Sequence, residues 1–342
     1  MIKEKNNYSK TLNKTFLPYL SCPICKGNLV NAGEKQVYCL SCKTEYPINN
    51  GIPVLLPSQI EEFKRLESEY HSNSADDFST RAGRSSYRVS RYHDDYLQCF
   101  SDFKKNKIIL NIGCGGGLEA LELTKMGHTV ILADIAVGMV KTARKLAIKE
   151  KQEANSVFVV CDAENLPCPD QSIDAILIVA SLHHLPSPAI FFSEVKRTLK
   201  PGGLLVVGFE PNRWPYFTVI PVMRLFNRFL NPQQKRKLGE TSVADMETIG
   251  FAKADFDHFL KAEGLIKVKL QRIWYIAGFV HFALMYVNRN RPSDHLIDLP
   301  NSLQRVLVAF DDFISKIPLL RRLCWHWTLV VKRPQIEKDS DQ

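Results

Sequence analysis

The sequence predicts an α/β protein: a doubly wound, mostly parallel sheet preceded by a small metal-stapled module. Three observations predict it. Two Cys-x2-Cys knuckles stand near the start of the 342-residue chain. From about residue 108 to residue 210, short apolar runs alternate with amphipathic segments, the pattern of strands covered by helices on both faces. The first of those runs leads into Gly113-Cys-Gly-Gly-Gly117, and the second ends at Asp134.

The knuckles are Cys22-Pro-Ile-Cys25 and Cys39-Leu-Ser-Cys42, with 13 residues between them. Each presents two thiolates to one ion, and four soft sulfurs in a tetrahedron suit Zn²⁺. Unligated thiols or a redox pair are the alternatives, and the doubling of the knuckle in so short a stretch argues against them. With all four ligands drawn from the protein, the site has no open position and is structural. A module over residues 1–60 is expected, then a polar helix and linker over 61–86, then a larger domain over 87–342. Aromatic residues at 87, 92, 96, 100 and 103 recur at helical spacing. Tyr92 and Tyr96 either line a pocket or belong to the core, and the stripe favours the core.

Ile108 to Ile112 reads as a buried strand and Leu118 to Lys125 as a helix whose first amides face the glycine loop. Asp134 stands 21 residues after Gly113, placed to accept hydrogen bonds from ribose hydroxyls. A dinucleotide fingerprint needs a third glycine where Leu118 stands. The glycines run G-x-G-x-G instead, close-set around one nucleoside. Val137 to Lys149 reads as a helix, Val157 to Val160 and Ile173 to Val179 as strands, Pro188 to Leu199 as a helix, and Leu204 to Glu210 as a strand. Gly113, Asp134, Asp162 and Ser181 all fall at carboxyl ends of these strands, where open α/β sheets bind ligands.

Together with Cys161-Asp-Ala-Glu-Asn-Leu-Pro167, Ser181-Leu-His-His-Leu185 and Leu199-Lys-Pro-Gly-Gly203, these features resemble class I S-adenosylmethionine-dependent methyltransferases of the type 11 group, whose fold is Rossmann-like. The resemblance covers residues 85–210 most strongly. It implies that Asn111, Gly113, Cys114, Gly115, Gly117, Asp134, Ile135, Asp162, Ala163 and Ser181 hold the cofactor, with Asp162 and the next amide on the adenine. Where Asn111 stands the family usually has an acidic residue, so a hydrogen bond to the methionine part is kept and the charge is not. The cysteine module and its flanks, Phe16 to Ser21 and Glu45 to Pro57, resemble the zinc-ribbon activator subunit of tRNA and protein methyltransferases, here fused to the catalytic chain.

Methyl transfer from a sulfonium is an in-line displacement, and positioning alone supplies roughly 7–11 kcal/mol of the barrier reduction. A base is needed only for a hydroxyl or acidic carbon acceptor. His183 and His184 follow the fourth strand of the core; two adjacent histidines cannot both face the site, and His183 is the candidate base.

The formal charge of +9 divides as +4 over residues 1–60, −2 over 61–210 and +7 over 211–342. Basic ends around a near-neutral core suggest an anionic partner, a membrane surface or nucleic acid, or else simply a soluble surface. Two segments look inserted, 211–250 and 275–325. The first interleaves aromatic and aliphatic residues with Arg224 and Arg228 before Lys235-Arg-Lys237. Ile273 to Asn288 carries no charge over 16 residues, too short for a span of about 20; a buried helix is favoured over an interfacial one. These insertions supply apolar lining, so a small-molecule or lipid-like acceptor is expected, with an rRNA or tRNA methyltransferase second and a non-catalytic scaffold third. Met1 to Lys14 lacks the apolar segment of a secretory leader, and nine cysteines fit a reducing compartment. A cytoplasmic enzyme with possible peripheral membrane contact is the expectation.

Overall fold

The computed structural model describes residues 17–81, 86–219, 221, 242–288, 291 and 295–335. The cysteine module contributes strands β1 (Leu29–Asn31), β2 (Gln36–Cys39), β3 (Glu45–Asn49) and β4 (Ile52–Leu55). Helices α1 (Glu62–Arg81) and α2 (Tyr87–Leu97) follow. Next come β5 (Ile108–Ile112), α3 (Leu118–Lys125), β6 (Thr129–Asp134), α4 (Val137–Lys149) and β7 (Ser156–Cys161). They are followed by β8 (Ile173–Val179), α5 (Pro188–Thr198) and β9 (Leu199–Pro211). The remainder holds α6 (Val243–Glu247), α7 (Lys253–Glu263), β10 (Ile266–Ile273), α8 (Ile276–Asn288), α9 (Asn301–Ile314) and β11 (His326–Lys332).

Among the described residues the strands form one sheet in the order β1-β2-β3-β4-β7-β6-β5-β8-β9-β11-β10. From β4 to β9 neighbouring strands are parallel, and β11 and β10 close the edge antiparallel. The order reverses at β5, which lies between β6 and β8, so a crevice opens there at the carboxyl ends. Apolar runs rather than alternation were the right clue, because both faces are covered. Leu110, Ile131, Val157 and Val159 pack on one side with Phe191, Phe192 and Phe256. Ile109, Val130, Leu132 and Phe158 pack on the other with Tyr92, Tyr96 and Val140.

The cysteine module is not set apart from this sheet. Val54 and Leu55 pair in parallel register with Val160 and Cys161. Leu20, Leu29, Val37 and Tyr46 belong to the same apolar cluster as Leu166 and Cys168. Ser21 donates its amide to the Pro167 carbonyl at 2.8 Å, and Lys26 pairs with Glu194 at 3.0 Å. Residues 62–81, expected as a helix giving way to a linker, form one continuous helix. Tyr92 and Tyr96 are fully buried core residues. Arg224, Arg228 and Lys235 to Lys237 lie outside the described residues.

Candidate functional site

The four cysteines converge. Cys22 and Cys42 Sγ are 3.6 Å apart, Cys25 and Cys39 Sγ 3.5 Å, and all four sulfurs lie within 4.8 Å of one another. A tetrahedral zinc with Zn–S bonds of about 2.3 Å has sulfur–sulfur edges of about 3.8 Å, so the set fits that ion. Each knuckle is closed by a local turn: Lys26 and Lys43 donate their amides to the Cys22 and Cys39 carbonyls at 2.8 and 3.1 Å. The Tyr46 hydroxyl lies 3.0 Å from Cys22 Sγ and the Thr44 hydroxyl 3.1 Å from Cys42 Sγ. Such outer hydrogen bonds orient thiolates and temper their charge.

The second site is the crevice at β5. Gly113, Gly115 and Gly117 all have positive φ, at 59°, 49° and 85°, which a side chain would strain. A Cβ on Gly113 would also lie 2.3 Å from Ser181 Oγ. The glycine loop and the turn after β8 are thus pressed together. Asp134 pins the loop from below: its Oδ2 accepts the Gly115 amide at 3.0 Å and its Oδ1 the Ala136 amide at 2.9 Å. Each oxygen keeps a second lone pair for a hydroxyl donor. Burial pushes the carboxyl up, and the two amides oppose this. Cys114 is buried, its amide bonded to the Ala133 carbonyl at 3.1 Å. Asn111 is buried, with Nδ2 donating to the Leu177 carbonyl at 3.3 Å. Its Oδ1 has no partner among the described residues, leaving one acceptor beside the loop for an ammonium or hydroxyl group.

Helix α1 covers this crevice. Ser68 donates to the Ile135 carbonyl at 2.9 Å, and Ser72 Oγ accepts the Gly138 amide at 3.2 Å. Lys64 reaches Asp162 Oδ2 at 2.9 Å and Glu164 Oε2 at 2.6 Å, all three being buried. Asp162 also accepts the Glu164 amide at 2.9 Å and Asn165 Nδ2 at 3.1 Å. The carboxylate expected on an adenine amino group is therefore engaged by the chain's own lysine. Ala163 is buried in the same turn.

The two histidines, expected to face different ways, lie side by side with ring centroids 4.3 Å apart and both Nε2 atoms toward Asp245, while their Nδ1 atoms take different partners. Glu210, buried at the end of β9, accepts the amides of Ser181, Leu182 and His183 at 2.9, 2.8 and 3.0 Å. It also accepts His183 Nδ1 at 2.9 Å. His183 Nε2 points toward Asp245 Oδ1 at 3.5 Å. Burial pulls the imidazole pKa down, but Glu210 and Asp245 lift it to about 9. His184 turns to α1 and donates Nδ1 to Glu67 Oε2 at 2.8 Å. Glu67 is buried and also receives His71 at 3.3 Å, Ser242 Oγ at 2.9 Å and the Ala244 amide at 3.0 Å. Burial raises its pKa, yet the His184 and His71 hydrogen bonds and the Ala244 amide hold it far below the usual carboxylate range.

Lys64, Glu67, His71, Glu210, Ser242 and Asp245 escaped sequence reasoning. Glu67 and His71 stand four apart on a helix that reads as solvated, so nothing in the local pattern marks them as buried. Glu210 left a weak trace as an acidic residue ending an apolar strand. Beyond it, Phe209, Trp274, His281 and His326 form an aromatic cluster with ring centroids 4.4–6.0 Å apart. Phe209 and Trp274 both hold positive φ, at 55° and 61°, a strained conformation that clusters at binding sites.

Residues 110–207 match the family model of a methyltransferase domain, and residues 13–51 that of a Trm112p-like protein. A sterol 24-C-methyltransferase of Gibberella zeae is 35% identical over 126 residues, 36% of this chain and 33% of that protein. A phthiotriol/phenolphthiotriol dimycocerosates methyltransferase of Mycobacterium tuberculosis is 32% identical over 149 residues, 42% of this chain and 54% of that protein. The chain thus spans a third to about half the length of these curated relatives. Among solved structures, Haemonchus contortus phosphoethanolamine N-methyltransferase 2 in complex with S-adenosyl-L-methionine superposes with a TM-score of 0.55 at 17% identity, covering 86% of this chain and 63% of that one. That likeness shows the fold.

Proposed function

We propose that this chain, which carries a methyltransferase domain behind a Trm112-like zinc ribbon, transfers a methyl group from S-adenosylmethionine to a small, lipid-like acceptor. One observation carries the reading: the Gly113–Ser181 contact sets the His183–Glu210 pair directly against the glycine loop that Asp134 anchors. The curated relatives' names, a sterol and a phthiotriol dimycocerosate methyltransferase, support the acceptor class.

Asp134 would hold the ribose, Asn111 Oδ1 the methionine ammonium, and the amides of the Gly113–Gly117 loop the remainder. Bound there, the cofactor supplies an electrophilic methyl group. Glu210 fixes His183 with its proton on Nδ1, which leaves Nε2 as the atom that takes a proton from an acceptor hydroxyl. At neutral pH Glu210 and Asp245 keep this imidazole charged. With the cofactor held by Asp134 and Asn111, its positive charge would oppose that of His183 and lower the imidazole pKa toward the working range. Helix α1 excludes water from the site, and Lys64 withdraws from Asp162 if that carboxylate is to meet a purine.

Calorimetry with S-adenosylmethionine and with NAD tests the cofactor; binding of NAD alone would overturn the assignment. Incubation with methyl-labelled cofactor and either total lipid extract or total RNA tests the acceptor. Label in RNA and none in lipid would reverse the ranking.

A further inference from the structure

Helix α9 is built inside out for a water-facing helix. Its buried face carries Gln304 and Asp311, each 1% exposed, beside Val308 and Ile314. Both polar residues have structural employment. Gln304 Oε1 accepts the Arg88 amide at 3.0 Å. Asp311 caps the start of α8, accepting the Tyr275, Ile276 and Ala277 amides at 2.8, 2.8 and 3.3 Å. The opposite face presents Leu303, Val306, Phe310 and Phe313, with Val306 64% and Phe313 59% exposed. The turn after it continues the patch with Leu319, 79% exposed, Leu320 and Leu323. Chains of this kind rarely leave so much contiguous apolar surface without a partner.

Charge decides which partner. Lys316, Arg321 and Arg322 stand exposed along the end of the patch, against a single exposed acid, Asp312. Apolar side chains rimmed by Lys and Arg suit the interface of an anionic bilayer. No helix among the described residues is long and apolar enough to cross a membrane, so the contact is peripheral. Helix α8, capped by Asp311, joins this surface to the site. Ile276, Phe279 and Val287 are exposed on it. Its inner residues His281 and Phe282 touch Trp274, Trp325 and His326, and the last of these and Trp274 touch Phe209, the residue before Glu210 on β9.

We infer that α9 and the following turn dock on an anionic lipid surface, where α8 leads an amphipathic acceptor from the bilayer to His183. This deepens the lipid-acceptor reading and rests on it. The test is flotation of the full chain with vesicles of phosphatidylcholine alone and of phosphatidylcholine with phosphatidylglycerol. Three proteins are compared: wild type, Val306→Asp/Phe310→Asp/Phe313→Asp, and Arg321→Glu/Arg322→Glu. Cofactor binding and thermal unfolding are followed in each. The wild type should float with the anionic vesicles and the triple variant should not. The arginine pair should cost at least about thirty-fold in partition, the worth of losing two basic residues near an anionic surface, with the new carboxylates opposing binding further. All three should bind cofactor alike; a chain that floats yet binds no cofactor would sink the methyltransferase reading and leave the docking surface standing. Flotation of no protein, or equal flotation of all, would overturn the docking surface. So would a wild-type dimer that the triple variant splits without any flotation, since a second copy would then be the occupant. A triple variant that unfolds earlier, with no flotation of the wild type, would assign the face to cover by the chain itself.

Discussion

The two halves of the crevice are held together by different kinds of contact. On the cofactor half, Gly115 and Ala136 give their amides to Asp134, and Cys114 bonds Ala133. All of these belong to one strand–loop–helix–strand unit. On the acceptor half, Glu67 meets His184 from 117 positions away and Ser242 from 175. His183 depends on Glu210, 27 positions on. The glycine loop and its Asp134 anchor are a backbone template that any compatible sequence inherits with the turn, although Asp162 on the same side is tied to Lys64 from 98 positions away. The acceptor half is a network of buried charges, each of which would be costly alone. On the proposed function, that arrangement would let acceptor chemistry change while the cofactor grip stays as it is.

The ribbon belongs with the locally built regions, and it allows the hardest break. Cys39→Ser should abolish zinc binding and remove folding free energy of about 10 kcal/mol, the order found for small zinc modules. Because β4 continues the sheet through β7, the loss should spread. Hydrogen exchange should rise in Ser156–Cys161 as well as in the ribbon, and heating should give one lowered transition. A ribbon that unfolds alone, with β7 still protected, would show the two to be independent.

Asp134→Ala comes next. Two charge-assisted ribose bonds at about 1.5–3 kcal/mol each predict a Kd for S-adenosylmethionine weaker by roughly 10²–10⁴-fold. Calorimetry reads this directly. The rate at saturating cofactor should fall far less, because the acceptor half is untouched.

Glu210→Gln probes the other half. The amide keeps an acceptor for the Ser181 and Leu182 amides but cannot orient and charge His183. The turnover of a hydroxyl acceptor should fall about 10²–10⁴-fold, the usual worth of a general base, with cofactor affinity unchanged. An equal loss in cofactor binding would mean that the halves are coupled.

The smallest effect is on pH. His183 has its folded pKa raised from 6.5 to about 9. Its pairing with Glu210 therefore stabilises the fold fully below about pH 6.5 and is lost as pH rises through about 9. The difference is at most about 3 kcal/mol. Thermal unfolding across that window should show wild type losing stability and Glu210→Gln staying flatter. Methyl transfer should run the opposite way and rise with pH, since only the neutral imidazole accepts a proton.

What the sequence by itself determined is everything that short-range chemistry encodes. Paired knuckles can hold one ion only by closing on themselves. A close-set glycine loop followed 21 positions later by Asp134 is the pattern expected of a nucleoside site at the end of a parallel strand. The doubly buried runs could belong only to a covered sheet. What the tertiary structure decided lies where burial overrules local pattern. Lys64, Glu67 and His71 sit on a helix polar enough to look solvated, and only its packing against α4 and across the loops that follow β6 and β7 turns them toward the site. Glu210 became the partner of His183 because β9 runs beside β8. The apolar face of α9 points outward because Gln304 and Asp311 are needed within. Period and composition report how apolar a face is. Which face meets the core depends on what the neighbours demand, and for these residues the neighbours lie from 27 to 216 positions away.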